Sequence, residues 1–119
     1  MNLRCYVVDD IPSIMESMSR YVQRTEGLEL AGAATDPVIA LSEIESLRPD
    51  IVITDINMSE MSGLTLAGMV DDFAQVILIS GEPQYRYSDV DWKNYLYLQK
   101  VISYQDFTAA IDQIKARSH

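Results

Sequence analysis

The sequence predicts an open, doubly wound α/β domain in which five parallel strands, ordered 2-1-3-4-5, alternate with five helices. Strand-like and helix-like runs follow one another in strict alternation along the 119 residues. Three of the strand-like runs, Tyr6-Val7-Val8, Ile51-Val52-Ile53 and Val76-Ile77-Leu78-Ile79, are continuously apolar, as parallel strands are when helices cover both faces of their sheet. Five βα units joined by right-handed crossovers fill the length, so the sheet is open rather than closed into a barrel, which needs eight units. A second hydrophobic core does not fit a chain of this size, and a single domain is expected over residues 1–119.

The first strand is expected at Leu3–Val8 and the first helix at Pro12–Gln23, with Pro12 in the opening turn, where its missing N–H leaves no bond unmade. Ile14, Met18 and Tyr21/Val22 recur at helical spacing and give that helix one apolar face. The second strand is Leu28–Ala33. Asp36-Pro37 opens the second helix, Pro37–Leu47, and Arg48-Pro49-Asp50 closes it before the third strand, Ile51–Thr54. A third helix at Leu64–Asp72 and a fourth strand at Gln75–Ile79 follow. The fourth helix is weakly written: Tyr85–Val90 and the residues up to Asn94 show no clear apolar stripe, so a short or irregular helix is expected. The fifth strand is Tyr95–Leu98, and the fifth helix, Tyr104–Ala116, carries Phe107, Ala110, Ile111 and Ile114 on one face.

Composition excludes several classes of function. Apolar residues make up 48% of the chain, enough for a packed core. Nine Lys and Arg against 18 Asp and Glu leave a net charge of −9, which disfavours nucleic acid and anionic lipid as partners. No apolar run approaches the roughly 20 residues needed to cross a bilayer. Met1-Asn2-Leu3-Arg4 leads straight into a strand pattern without the apolar stretch of a secretory signal, so a cytoplasmic location is expected. Cys5 is the only cysteine and is read as a packing residue; His119, the only histidine, is terminal, which removes His-based catalysis and a zinc site. Met15, Met18, Met58, Met61 and Met69 are read as packing, not as ligands.

Doubly wound sheets bind ligands beyond the carboxyl ends of their strands, near the switch in strand order. Asp9-Asp10 follows the first strand, Asp55 the third, Ser80 the fourth and Lys100 the fifth, so all five converge on one small surface. Four of them have a duller reading: Asp10 as a helix cap, Asp9 as a solvated strand-end charge, Ser80 as a turn residue, Lys100 as a surface lysine. Together they favour chemistry. Three clustered carboxylates repel one another and call for a hard cation with oxygen ligands, such as Mg²⁺. A metal and a lysine beside a carboxylate suit phosphoryl transfer, because both neutralise charge on the transferring oxygens.

In order along the chain, Val7-Val8-Asp9-Asp10, Ile51-Val52-Ile53-Thr54-Asp55-Ile56-Asn57-Met58, Gly63 eight residues after Asp55, Ser80-Gly81 and Tyr97-Leu98-Gln99-Lys100 resemble the receiver domain of two-component response regulators, the CheY-like superfamily of flavodoxin-like topology. The resemblance covers nearly the full length. It implies that Asp55 accepts a phosphoryl group from a sensor histidine kinase or phosphotransfer protein. It implies Mg²⁺ held by Asp10 and Asp55, by Asp9 through a water, and by the backbone carbonyl of Asn57. Lys100 would pair with the phosphoryl oxygens, the Ser80 hydroxyl would move onto them, and Tyr97 would swing from exposed to buried. It also implies that two copies could pair through the fourth helix, fifth strand and fifth helix, and that the domain itself does not touch DNA. Leu28-Glu29-Leu30-Ala31-Gly32 and the opening segment are similar to receivers that precede DNA-binding domains of the LytTR type, so an output domain beyond residue 119 is open.

Two departures stand out. Ser59 and Val101 occupy positions where the family usually has proline. A cis bond before Val101, a non-proline residue, is costly, so Lys100 is expected to be aimed less firmly. Trp92 and the tyrosines around it are read either as a partner surface or as cover for the sheet edge. Two other functions compete with the signalling switch: a receiver-like binding module that takes no phosphate, and a Mg²⁺-dependent phosphatase. The phosphatase would need an acid/base Asp where the chain has Asn57.

Overall fold

The computed structural model describes residues 2–117. The strands β1 (Leu3–Val8), β2 (Leu28–Ala34), β3 (Ile51–Asp55), β4 (Gln75–Ser80) and β5 (Tyr95–Gln99) form one parallel sheet in the order 2-1-3-4-5. The helices are α1 (Pro12–Arg24), α2 (Pro37–Leu47), α3 (Gly63–Val70) and α4 (Tyr104–Arg117). The fold class and strand order agree with the sequence reading. The helix count does not: the connection from β4 to β5 holds a single 3-10 turn, Gln84–Tyr87, and the fifth expected helix is α4. The physical reason is the missing stripe. A helix is stabilised mainly by burying an amphipathic face, and here Tyr85, Arg86, Ser88 and Asp89 all face solvent while only Tyr87 and Trp92 pack inward.

Alternation along the strands sorts the core into two layers. Cys5, Val7, Ile51, Ile53, Ile77 and Ile79 face α1 and α4, meeting Met18, Val22, Phe107 and Ile111. Tyr6, Val8, Val52, Val76 and Leu78 face the other way, onto Ala40 and Ile44 of α2 and Leu66 and Val70 of α3. Cys5 is sealed inside the first layer, and burial pushes its thiol up to about 12, which agrees with a packing role. Of the methionines, Met15, Met18, Met58 and Met61 pack in the two layers, whereas Met69 lies exposed on α3.

Local signals account for the helix ends that frame the site. Asp36 caps α2 by accepting from Val38 N–H at 2.8 Å, and Arg48 ends it in the left-handed conformation with φ 51°. Ser62 caps α3, accepting from Leu64 N–H at 3.1 Å. α1 has no side-chain cap; its cap position is Ile11, whose N–H donates to Asp9 Oδ1 at 2.9 Å. The reading of Asp10 as a helix cap is thereby removed. β3 and β4 each run one residue beyond their expected ends, so Asp55 and Ser80 are terminal strand residues with backbones fixed by the ladder. No helix among the described residues is long and apolar enough to cross a membrane, and His119 lies outside the described residues.

Candidate functional site

Parallel pairing brings the ends of β1 and β3 side by side, with Val8 opposite Thr54, and this sets the residues that follow next to each other. Asp9 is fully buried and Asp55 is 4% exposed, so neither is a solvated strand-end charge. Carboxylate oxygens of Asp9, Asp10 and Asp55 lie within 4.8 Å of one another. Lys100 reaches in from the end of β5, with Nζ 2.9 Å from Asp9 Oδ2 and 3.4 Å from Asp55 Oδ1. The Lys100-Val101 peptide is cis although Val101 is not proline.

Burial, then the negative charge of Asp9, raises the Asp55 carboxyl to about 6 from an ordinary 3.8, and Lys100 only partly offsets this. Asp9 Oδ2 is buried, and the Lys100 ammonium 2.9 Å away balances its charge. A cluster of three hard oxygen donors is a group that can hold a metal ion. A glycine is required beside it. A Cβ on Gly63 would stand 1.9 Å from the carbonyl oxygen of Asp55, so only glycine lets α3 start against the end of β3.

Ser80 is wholly buried at the end of β4. Its Oγ lies 2.6 Å from the Tyr87 hydroxyl, and it accepts from Glu82 N–H at 3.0 Å and from Asn57 Nδ2 at 3.3 Å. Asn57 Nδ2 also donates to Tyr87 at 2.8 Å. Asn57 thus enters through its side chain, where the sequence reading used only its backbone carbonyl, and Tyr87 was missed altogether. No pattern could have found Tyr87, since Tyr85 looks the same in sequence but is 76% exposed.

Tyr97 is half-buried on β5, its hydroxyl donating to the Glu82 carbonyl and its ring between those of Tyr87 and Trp92, at 6.3 and 5.3 Å. Trp92 is half-buried as well, and its Nε1 donates to the Tyr87 carbonyl at 3.2 Å. It covers the sheet edge.

A doubly wound sheet whose strand ends gather three acidic side chains, a lysine and a buried serine defines a class of α/β domains with an acidic site that could hold a metal ion. The family model of the response regulator receiver domain matches residues 5–112, and the chain belongs to that family, the receiver domains of two-component systems. An uncharacterised response regulatory protein of Vibrio vulnificus (strain CMCP6) is 28% identical over 120 residues, covering 98% of this chain and 50% of that protein. The transcriptional regulatory protein BtsR of Escherichia coli (strain K12) is 32% identical over 69 residues, 58% of this chain and 29% of BtsR. The chain therefore spans half or less of the length of these curated relatives. Among solved structures, the signal receiver domain of NarL from Mycobacterium tuberculosis has a TM-score of 0.83 at 24% identity, with 95% of each chain covered, which shows a shared fold.

Proposed function

We propose that this receiver domain is a phospho-accepting switch. An oxygen of Asp55 attacks the phosphorus of a phosphohistidine on a sensor histidine kinase or phosphotransfer protein. The P–N bond breaks, its electron pair returns to the imidazole, and an acyl phosphate forms on Asp55. Asp9, Asp10, Asp55 and the backbone carbonyl of Asn57 would hold Mg²⁺, which when bound supplies neutralising charge at the transferring oxygens. Lys100, ion-paired with Asp9 and Asp55, would balance charge on the phosphoryl oxygens, and the Ser80 hydroxyl would donate to the phosphoryl group once it is in place. The carrying observation is the nearly buried Asp55 carboxylate, held within 3.4 Å of Lys100 and inside the acidic cluster.

Residues 1–119 are read as one receiver domain working in the cytoplasm, where its kinase would present the phosphohistidine. Pairing of two copies through the face around β5 and α4 would have to use the 3-10 turn and Trp92 in place of a helix. That same replacement favours a second reading, a binding module that takes no phosphate. One experiment separates the two. Acetyl phosphate with Mg²⁺ should add one phosphate to the intact mass of the wild type and none to Asp55→Ala; no gain, or a gain untouched by the substitution, rejects the phospho-accepting reading.

A further inference from the structure

A serine hydroxyl accepts two hydrogen bonds and donates one, and an amide NH₂ only donates, with two hydrogens. Around Ser80 these capacities narrow the arrangement of protons. The Glu82 N–H and one hydrogen of Asn57 Nδ2 fill both lone pairs of Ser80 Oγ. The single Ser80 proton then has the Tyr87 oxygen, at 2.6 Å, as a close acceptor. The second hydrogen of Asn57 Nδ2 also goes to the Tyr87 oxygen, at 2.8 Å, so Tyr87 acts as the acceptor for both.

We propose that Tyr87 is a positioning residue that holds the Ser80 proton in the free domain and yields it when a phosphoryl group on Asp55 takes it instead. The inference rests on the phospho-accepting reading of Asp55. Ser80 has one proton, so donation to a phosphoryl oxygen and donation to Tyr87 exclude each other. Release removes one of the two side-chain bonds on the Tyr87 hydroxyl and leaves that from Asn57. The backbone carbonyl of Tyr87 holds Trp92 Nε1, and Trp92 packs edge-on against Tyr97. Tyr97 in turn bonds the carbonyl of Glu82, whose own N–H sits on Ser80. Three aromatic side chains therefore hang on the Ser80–Glu82 turn, and the state of one serine proton reaches all of them without a fourth α-helix.

Trp92 is the only tryptophan in the chain and reports on the movement directly. Beryllium fluoride, a phosphoryl mimic, would be titrated with Mg²⁺ onto the 119-residue protein while Trp92 emission is recorded. In the wild type, binding should shift that emission; binding seen by calorimetry with no change at Trp92 overturns the proposal. Tyr87→Phe keeps the ring and removes the competing acceptor, so its affinity should rise by about fivefold, the worth of one ordinary hydrogen bond. Its free-state emission should already lie part-way toward the bound wild type. In a Ser80→Ala background the same substitution should change affinity by less than about twofold, because the proton in dispute is gone. Equal or weaker binding by Tyr87→Phe, with wild-type binding intact, overturns the role of Tyr87. A wild type that binds no beryllium fluoride at all overturns the phospho-accepting reading itself, and this inference with it.

Discussion

Two neighbouring regions of the domain are held by different forces. At the ends of β1 and β3, Asp9, Thr54 and Asp55 are almost sealed from water on central strands paired on both sides, and the start of α3 lies against them through Gly63. Between β4 and β5, residues 81–94 form one 3-10 turn and irregular chain beside an edge strand. That connection is tied down by side chains: Tyr87 on Ser80, Trp92 on the Tyr87 carbonyl, Tyr97 on the Glu82 carbonyl. The first region resists displacement because many packed atoms and ladder bonds must be lost together. The second depends on hydrogen bonds worth about 1 kcal/mol each, a scale that a bound group can outbid and so shift between states.

If this contrast is right, substitutions should separate the regions by size of effect. Gly63→Ala should cost about 3 kcal/mol or more in urea unfolding, because a Cβ 1.9 Å from the Asp55 carbonyl forces backbone apart; a loss under about 1 kcal/mol would show the acidic end to be pliable. Asp55→Asn should stabilise the metal-free protein at pH 8. The folded pKa of about 6 exceeds the ordinary 3.8, so folded Asp55 binds its proton more tightly than unfolded Asp55 does. Its contribution to stability is intact below about pH 4 and is lost as the pH rises through about 6. Removing the carboxylate should therefore gain about 2 kcal/mol at pH 8 relative to the change at pH 4, read from paired urea melts; an equal difference at both pH values would contradict the cause. Trp92→Phe should cost less than about 1 kcal/mol, since it removes one half-exposed hydrogen bond, yet it should speed amide exchange in residues 84–94 and leave β3 unchanged. Equal speeding in β3 would mean that the two regions open as one.

The acidic site was legible because it rests on local pattern. Continuous apolar runs announce central parallel strands, and the residue that ends such a run lies at the carboxyl edge of the sheet, so Asp9, Asp10, Asp55 and Ser80 could be brought together before any contact was known. Lys100 was found in the same way, but not its partners: the structure places Nζ within 2.9 Å of Asp9 Oδ2 and 3.4 Å of Asp55 Oδ1. The weak stripe after Gly81 correctly warned of an irregular fourth helix, without revealing that a single 3-10 turn would stand there.

Burial periodicity therefore specified which residues end the central strands, because inward and outward positions follow from chain geometry over a few residues. Whether those residues are sealed or paired was settled by packing between distant segments. Asn57 meets Ser80 across 23 positions of sequence, and Tyr87 meets it only because one tight turn folds back over the end of β4. A hydroxyl's partner is chosen within a few tenths of an ångström, a precision that alternation of polar and apolar residues does not encode.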